Sequence, residues 1–269
     1  MEYRIQELKL GGVLDQAISL TKNHFGILFT IMALVYIPAV LVIYFVQLSI
    51  LPTPPTMTSS PEEIAAFRQA YVKAMPILVI PVLITGVILI PLANVAVVDA
   101  VARLYLGKPA SAMDSLKVSI GKLLPLLGTS ILAVLAIMCG ALLIIPAFIF
   151  AFWFCLATHV VIIENISGPA ALGRSRQLVR GNFWTVSVLG LVIWIISLAL
   201  SMGAGLVTQP HLQIILQVIL EAVTTVFATA AMVVFYFSCR CGHENFDLEH
   251  LARQMGESSS ADTSEGDVF

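Results

Sequence analysis

Leu14-Asp-Gln-Ala17-Ile-Ser-Leu20-Thr-Lys22-Asn-His-Phe25 has a spacing that returns in Met113-Asp-Ser-Leu116-Lys-Val-Ser119-Ile-Gly121-Lys-Leu-Leu124 and in Leu172-Gly-Arg-Ser175-Arg-Gln-Leu178-Val-Arg180-Gly-Asn-Phe183. The marked residues follow steps of 3, 3, 2 and 3 each time, and each stretch stands just before a long apolar run. Self-similarity of this kind signals one supersecondary unit used repeatedly. The unit expected here is a short helix on the membrane surface followed by a pair of membrane-crossing helices. The fold class is therefore all-α and polytopic, with three such repeats at about 8–106, 109–164 and 168–240.

Composition requires the bilayer. With 59% hydrophobic residues, 11% charged ones and a mean hydropathy of +0.97, the chain has more apolar surface than a water-soluble core of ordinary proportions can hide. A hydrocarbon core about 30 Å thick takes roughly 20 apolar residues per helical crossing. Six stretches approach or exceed that length, at 25–48, 76–102, 123–145, 146–163, 184–207 and 213–238. The third and fourth are expected to join in a tight turn around Ile145-Pro146.

Basic residues in short loops stay on the cytoplasmic side. Of the 14 Lys and Arg residues, only Arg68 and Lys73 fall on one side of the expected topology. Arg4, Lys9, Lys22, Arg103, Lys108, Lys117, Lys122, Arg174, Arg176, Arg180, Arg240 and Arg253 fall on the other. Six crossings then put both termini in the cytoplasm and the protein in the plasma (inner) membrane. Residues 1–24 are amphipathic, so the N-terminus does not read as a cleavable signal peptide.

The surface helices have recognisable starts: Pro109 before Ser111 with Asp114 three residues on, Pro169 early in the third, and Gly11-Gly12 in the first. Apolar residues line one face and Lys or Arg the other, as in a helix lying in the interface plane. The long outer loop, 51–75, divides into a Pro/Thr/Ser-rich start at 52–60 and a helix-like piece at 61–71. Residues 1–245 form a single membrane domain. A weak amphipathic turn at 246–251 leads into a Gly/Ser/Asp/Glu-rich cytoplasmic tail to 269, expected to be largely disordered.

Several residues are candidates for chemistry. Gln213, Gln217, Glu221, Thr225 and Thr229 recur every four residues in the sixth crossing, which makes one polar stripe that faces protein or water and not lipid. A carboxyl near the midplane costs roughly 2.5–3.5 kcal/mol on insertion scales, and it marks a functional hypothesis by default. Glu221 is either a titrating or ligand-binding group in a cavity or a protonated side chain bonded between helices. Arg174, Arg176 and Arg180, with Lys117 and Lys122, make a basic interface that suits a phospholipid headgroup or plain positive-inside anchoring. Glu164 stands ten residues before Arg174, which makes an ion pair across the intervening turn plausible. Asp99 and Arg103 are four apart and can pair on one helix face. Pro38, Pro81 and Pro91 predict kinks, and Ser197, Ser201 and Gly205 read as close helix packing.

No metal, cofactor or catalytic set emerges. His159 has no partner at metal spacing, and Cys239-Arg-Cys241-Gly-His243 does not match known zinc spacings. Glu62, Glu63 and Arg68 lie in a polar loop without intramembrane His partners, and no nucleophile and base share a helical depth.

The stretch from Glu164 through Gly168, Ala171, Leu172, Ser175 and Leu178 to Gly181-Asn182-Phe183-Trp184 resembles the signature of a broad prokaryotic membrane family. It includes the membrane domain beside some glycerophosphoryl diester phosphodiesterases and the YciC-like proteins. The resemblance spans most of the chain, from Leu10 to about Leu251, and implies a helical membrane protein. It carries over no phosphodiesterase activity, since that chemistry belongs to a separate soluble domain. Glu164, Ser175, Asn182, Phe183 and Trp184 are the motif positions of most interest.

The expected function is non-enzymatic: binding or moving phospholipid or another amphiphile through the basic interface and the polar groove. A membrane scaffold or anchor is the first alternative, and an enzyme acting on lipid headgroups the second. Membrane phospholipids are the expected partners, with a second copy or another membrane protein also in view and no nucleic acid.

Overall fold

The structure is a computed structural model that describes residues 5–52, 60–141 and 145–244. Arg4, Arg253, the weak turn at 246–251, the rest of the tail and most of the Pro/Thr/Ser-rich start of the outer loop lie outside the described residues, as do the turn residues just before Ile145. Among the described residues every regular element is helical.

Helix α1 (Leu10–Asn23) buries Val13, Ala17 and Leu20, a single face at helical spacing, and ends at His24. One residue of non-helical backbone turns the chain directly into α2 (Phe25–Ile50), which carries Pro38 within it. Helix α3 (Pro61–Leu83) begins with a capping box, the Glu63 N–H donating to Ser60 Oγ at 3.2 Å and the Ser60 N–H to the Glu63 carboxylate at 2.9 Å. It continues without a break through a π segment (Ile84–Leu89) into α4 (Ile90–Tyr105).

The sequence separates a helix-like piece at 61–71 from a crossing at 76–102, whereas the structure fuses them into 45 helical residues. Prolines do not interrupt that run, because the backbone re-pairs around them: Pro91 has no N–H to give, and the neighbouring Ile90 N–H bonds the Thr85 carbonyl five residues back. At 1.5 Å per residue the run measures about 68 Å, more than twice the hydrocarbon thickness, so its polar first turns must project beyond the bilayer.

Helix α5 (Ala112–Ala141) absorbs both the second surface helix and the third crossing. A bend of the kind seen at His24 does not form here, since Lys122 and Leu123 continue the helix and Pro125 sits in it without ending it. The fourth crossing is split into α6 (Ile145–Phe154) and α7 (Ala157–Ile163). Helix α8 (Pro169–Val179) follows, separated from α9 (Phe183–Gly205) by Gly181 at φ +95°, a backbone region that favours glycine. Helix α10 (Pro210–Glu244) closes the described chain. Six helical segments are long and apolar enough to cross a membrane: Phe25–Ile50, Pro61–Tyr105, Ala112–Ala141, Pro146–Ile163, Phe183–Gly205 and His211–Glu244.

Burial is concentrated toward one end of the bundle. Every residue of α4 from Val95 to Ala102 is buried, as are Val233 to Cys239 of α10 and Val160 to Ile162 of α7. Tyr105 stacks on Phe237 with ring centroids 5.4 Å apart, and α1 packs along the same part of α10, where the Leu8 N–H donates to Ser238 Oγ at 2.8 Å. We call this the basic end, because Lys122, Arg103, Arg174, Arg176, Arg180 and Arg240 all contact it. Toward the opposite end the helices expose most of their surface: in α3 and the π segment only Ala74, Leu78 and Thr85 are buried, and α9 leans chiefly on α10.

Candidate functional site

The basic end is held by a polar collar. Glu164 at the end of α7 receives two donors of Arg174, with Nε at 2.9 Å, and the Tyr236 hydroxyl at 2.6 Å. Glu244 at the end of α10 also pairs with Arg174 and takes Arg240 Nε at 3.1 Å. Arg240 faces Glu164 at 3.9 Å as well. Two carboxylates and two guanidinium groups thus alternate, and each part-buried or exposed charge faces the opposite sign. Arg174 lies in α8, outside the spans, and its hydrogen bonds to Glu244 and Glu164 hold it protonated more firmly than usual despite its partial burial.

A second polar group lies beside the first. Asp99 accepts from Arg103 Nε at 2.8 Å and from the buried Ser115 Oγ at 3.0 Å. Lys122 reaches the Ile162 carbonyl at the end of α7, where a helix leaves acceptors without partners. The expected pairs Glu164–Arg174 and Asp99–Arg103 are both present.

Ser175, fully buried in α8, repairs the broken fourth crossing. Its hydroxyl donates to the Trp153 carbonyl at 2.7 Å and accepts the Leu156 N–H at 3.2 Å. These two backbone groups flank the break at Cys155-Leu156. Of the other motif residues, Asn182 reaches Cys239 Sγ at 3.7 Å, Phe183 meets Phe152 edge-on at 4.9 Å, and Trp184 is exposed.

The exposed basic side chains serve differently. Arg176 lies over the Trp153 ring at 4.1 Å, while Arg180 and Lys117 stand on the surface. Arg174 and Lys122 instead turn inward to the contacts above.

Away from the basic end, a groove of about 260 Å³ runs between α9 and α10. Its walls include Ile193, Leu200, Leu220 and Ala228, and its polar groups are Ser197, Ser201, Gln217, Glu221, Thr224 and Thr225. Glu221 and Gln217 are exposed to it, and the buried Tyr36 of α2 stands near Glu221 from behind. Glu221 is eleven residues into α10, about 16 Å from its start.

Three of the five stripe residues, Gln217, Glu221 and Thr225, therefore meet in one place. Gln213 and Thr229 continue the stripe above and below without lining the groove. Ser197 and Ser201, which the sequence assigns to helix packing, line it from α9. Their spacing of four, matched against the spacing of four on the next helix, was the available signal. Tyr36 gives no such signal, since only the tertiary fold brings α2 behind α10.

The stripe and the basic interface do not form one site. From Glu221 to Arg240 is nineteen residues, about 28 Å along α10.

A family described as a domain of unknown function, DUF7847, matches residues 57–239. The chain belongs to that family. The DUF7847 region takes in the whole groove between α9 and α10 and, from the collar, Glu164, Arg174 and Tyr236; α1, α2, Arg240 and Glu244 lie outside it. Neither the curated proteins nor the solved structures contain a match to this DUF7847 chain.

Proposed function

We propose that this protein is a non-enzymatic component of the plasma membrane that binds, and moves or presents, an amphiphile in the lateral groove between α9 and α10. The observation that carries this reading is the groove itself: a carboxylate, an amide and four hydroxyls gathered between two helices long and apolar enough to cross a membrane. A polar concavity there accepts a headgroup from lipid, while the exposed apolar face of α9 accompanies its tail.

In this reading the basic end lies in the cytoplasm with both termini. Arg176, Arg180 and Lys117 face the leaflet surface, where each cation contributes about 1 kcal/mol of attraction to anionic lipid. Their role is to seat the protein and to meet phospholipid headgroups.

The threefold repeat belongs to the same proposal. Gln16, Ser115 and Arg174 occupy equivalent places in the three spacings, and each holds the end of a crossing: Gln16 accepts from Tyr105 at 2.8 Å, Ser115 donates to Asp99, and Arg174 clasps Glu164. The resemblance to the membrane domain of glycerophosphoryl diester phosphodiesterases and to the YciC-like proteins implies a helical membrane protein and carries over no active site.

The test is mass spectrometry of amphiphiles that copurify with the protein, compared with Ser201→Trp, which fills the groove from an exposed position. Loss of one species from the variant supports the reading; identical profiles overturn it. One observation favours a scaffold instead. Arg174 and Lys122 spend their donors on holding helices together, as expected of an anchor whose basic end serves only assembly.

A further inference from the structure

We propose that the groove is selective for a cationic headgroup, and specifically for a primary ammonium carried on an apolar tail. This rests on the reading of the groove as an amphiphile site and names the class that it takes.

The sign of the site comes first. Among the residues that line the groove, Glu221 is the one ionisable group, and no Lys, Arg or His joins it. Arg240, the cation of α10, is about 28 Å away along that helix, too far to reverse the local field. A phosphate placed here would meet a carboxylate with no counter-charge, and a cation would meet its partner.

Hydrogen-bond polarity points the same way. The Ser197 hydroxyl donates its proton to the Ile193 carbonyl at 2.9 Å, and the Thr224 hydroxyl donates to the Leu220 carbonyl at 2.8 Å. A hydroxyl has one proton and two lone pairs, so what these two can offer the groove is acceptor capacity alone. The Glu221 carboxylate adds about four acceptor sites of its own. Ser201, Thr225 and the Gln217 amide bring donors as well as acceptors, so across the groove acceptors outnumber donors and the one charge is that of Glu221. An ammonium brings three donors and no acceptor, the complementary set; a phosphate would find the fewer partners and a like charge on Glu221.

Size agrees with a headgroup. A volume of about 260 Å³ falls just below the roughly 300–1,000 Å³ of sites that enclose a drug-sized molecule. The groove can hold a small polar head, and the tail must lie outside it. Trp194 and Leu198 of α9, both exposed and three residues before Ser197 and Ser201, give that tail an apolar surface at the edge of the groove.

The experiment uses the full chain purified in a neutral maltoside detergent, with dodecylammonium chloride, dodecyltrimethylammonium chloride and dodecyl phosphate as probes. Binding is read by native mass spectrometry and by displacement of a fluorescent alkylammonium. The expected order is dodecylammonium tightest, the trimethyl form weaker for want of donors, and the phosphate weakest. Glu221→Gln should weaken dodecylammonium roughly tenfold or more, as when a charged hydrogen-bond partner is removed. Ser201→Phe, which occludes the groove without touching the carboxylate, should weaken it as well and serves if Glu221→Gln does not fold. Phosphate binding as well as the ammonium, with both lost in Ser201→Phe, overturns the cation assignment but leaves an amphiphile groove. Failure of all three probes to bind, or binding indifferent to Ser201→Phe, overturns both.

Discussion

Ser175→Ala removes one oxygen atom from the interior of the basic end, and the structure sets what that should cost. The hydroxyl satisfies the Trp153 carbonyl and the Leu156 N–H, the two backbone groups at the break between α6 and α7, at 2.7 and 3.2 Å. Ser175 and Leu156 are both fully buried, so water cannot replace the lost partner without opening the packing. Each buried backbone group left unpaired costs about 1–3 kcal/mol, which gives about 2–6 kcal/mol for the pair. The assay is thermal or denaturant unfolding of the purified protein in detergent, with Ser187→Ala as the control. Ser187 also donates to a backbone carbonyl, Phe183 at 2.7 Å, but from an exposed turn of α9 whose helix bonds do not depend on it. Ser175→Ala should fall well below wild type while Ser187→Ala stays within about 0.5 kcal/mol. Equal stability of the two variants would show that the break is not held by this side chain, and the account of α8 as its splint would fail.

Arg174→Met should cost about 2–4 kcal/mol in the same unfolding assay, less than the loss of an isolated buried partner because Arg240 still faces Glu164 and Glu244; a neutral outcome would mean that the collar is not a stabilising network. Gly168 has φ +68° and ψ −146° with open space where a Cβ would stand, so Gly168→Ala should lose about 1–3 kcal/mol through backbone strain alone. Gly173→Ala, in a helical and equally open position, should instead gain up to about 1 kcal/mol, and equal effects at the two sites would refute the distinction. His159 is buried against Tyr236 with neither ring nitrogen bonded among the described residues, so His159→Phe should be neutral or raise the melting temperature. A fall of more than about 2 kcal/mol would show that the imidazole has a partner of its own.

The crossings were legible from their apolar length, since that signal depends on local composition alone. So were Glu164–Arg174 and Asp99–Arg103, which are near in sequence and opposite in charge. The breaks were not. A run of apolar residues reads the same whether Cys155-Leu156 interrupts it or Pro76 fails to, because the outcome turns on whether a distant group, here Ser175, can take up the freed backbone. The three spacings likewise predict three bends, but the residues that decide them differ: Gly181 permits a left-handed turn after α8, whereas Lys122-Leu123 carries α5 straight on. Tyr236, Arg240 and Glu244 complete the collar from more than 70 positions away along the chain from Glu164, a juxtaposition that no local pattern encodes. The groove was half visible, with its acidic wall given by the stripe and its hydroxyl wall legible only as residues where α9 meets α10.

The uneven burial of the bundle has a mechanical meaning. One extremity is riveted by stacked rings and alternating charges; at the other, α3 and α9 touch their neighbours along a single narrow line. Thermal energy will therefore be spent unequally, and the molecule should behave as a pair of tongs whose joint is firm and whose jaws breathe. Amide exchange is expected to be slowest in 95–105 and 230–239 and fastest in 74–90 and 195–215. Whatever enters between those jaws works against the weak end and leaves the strong one still.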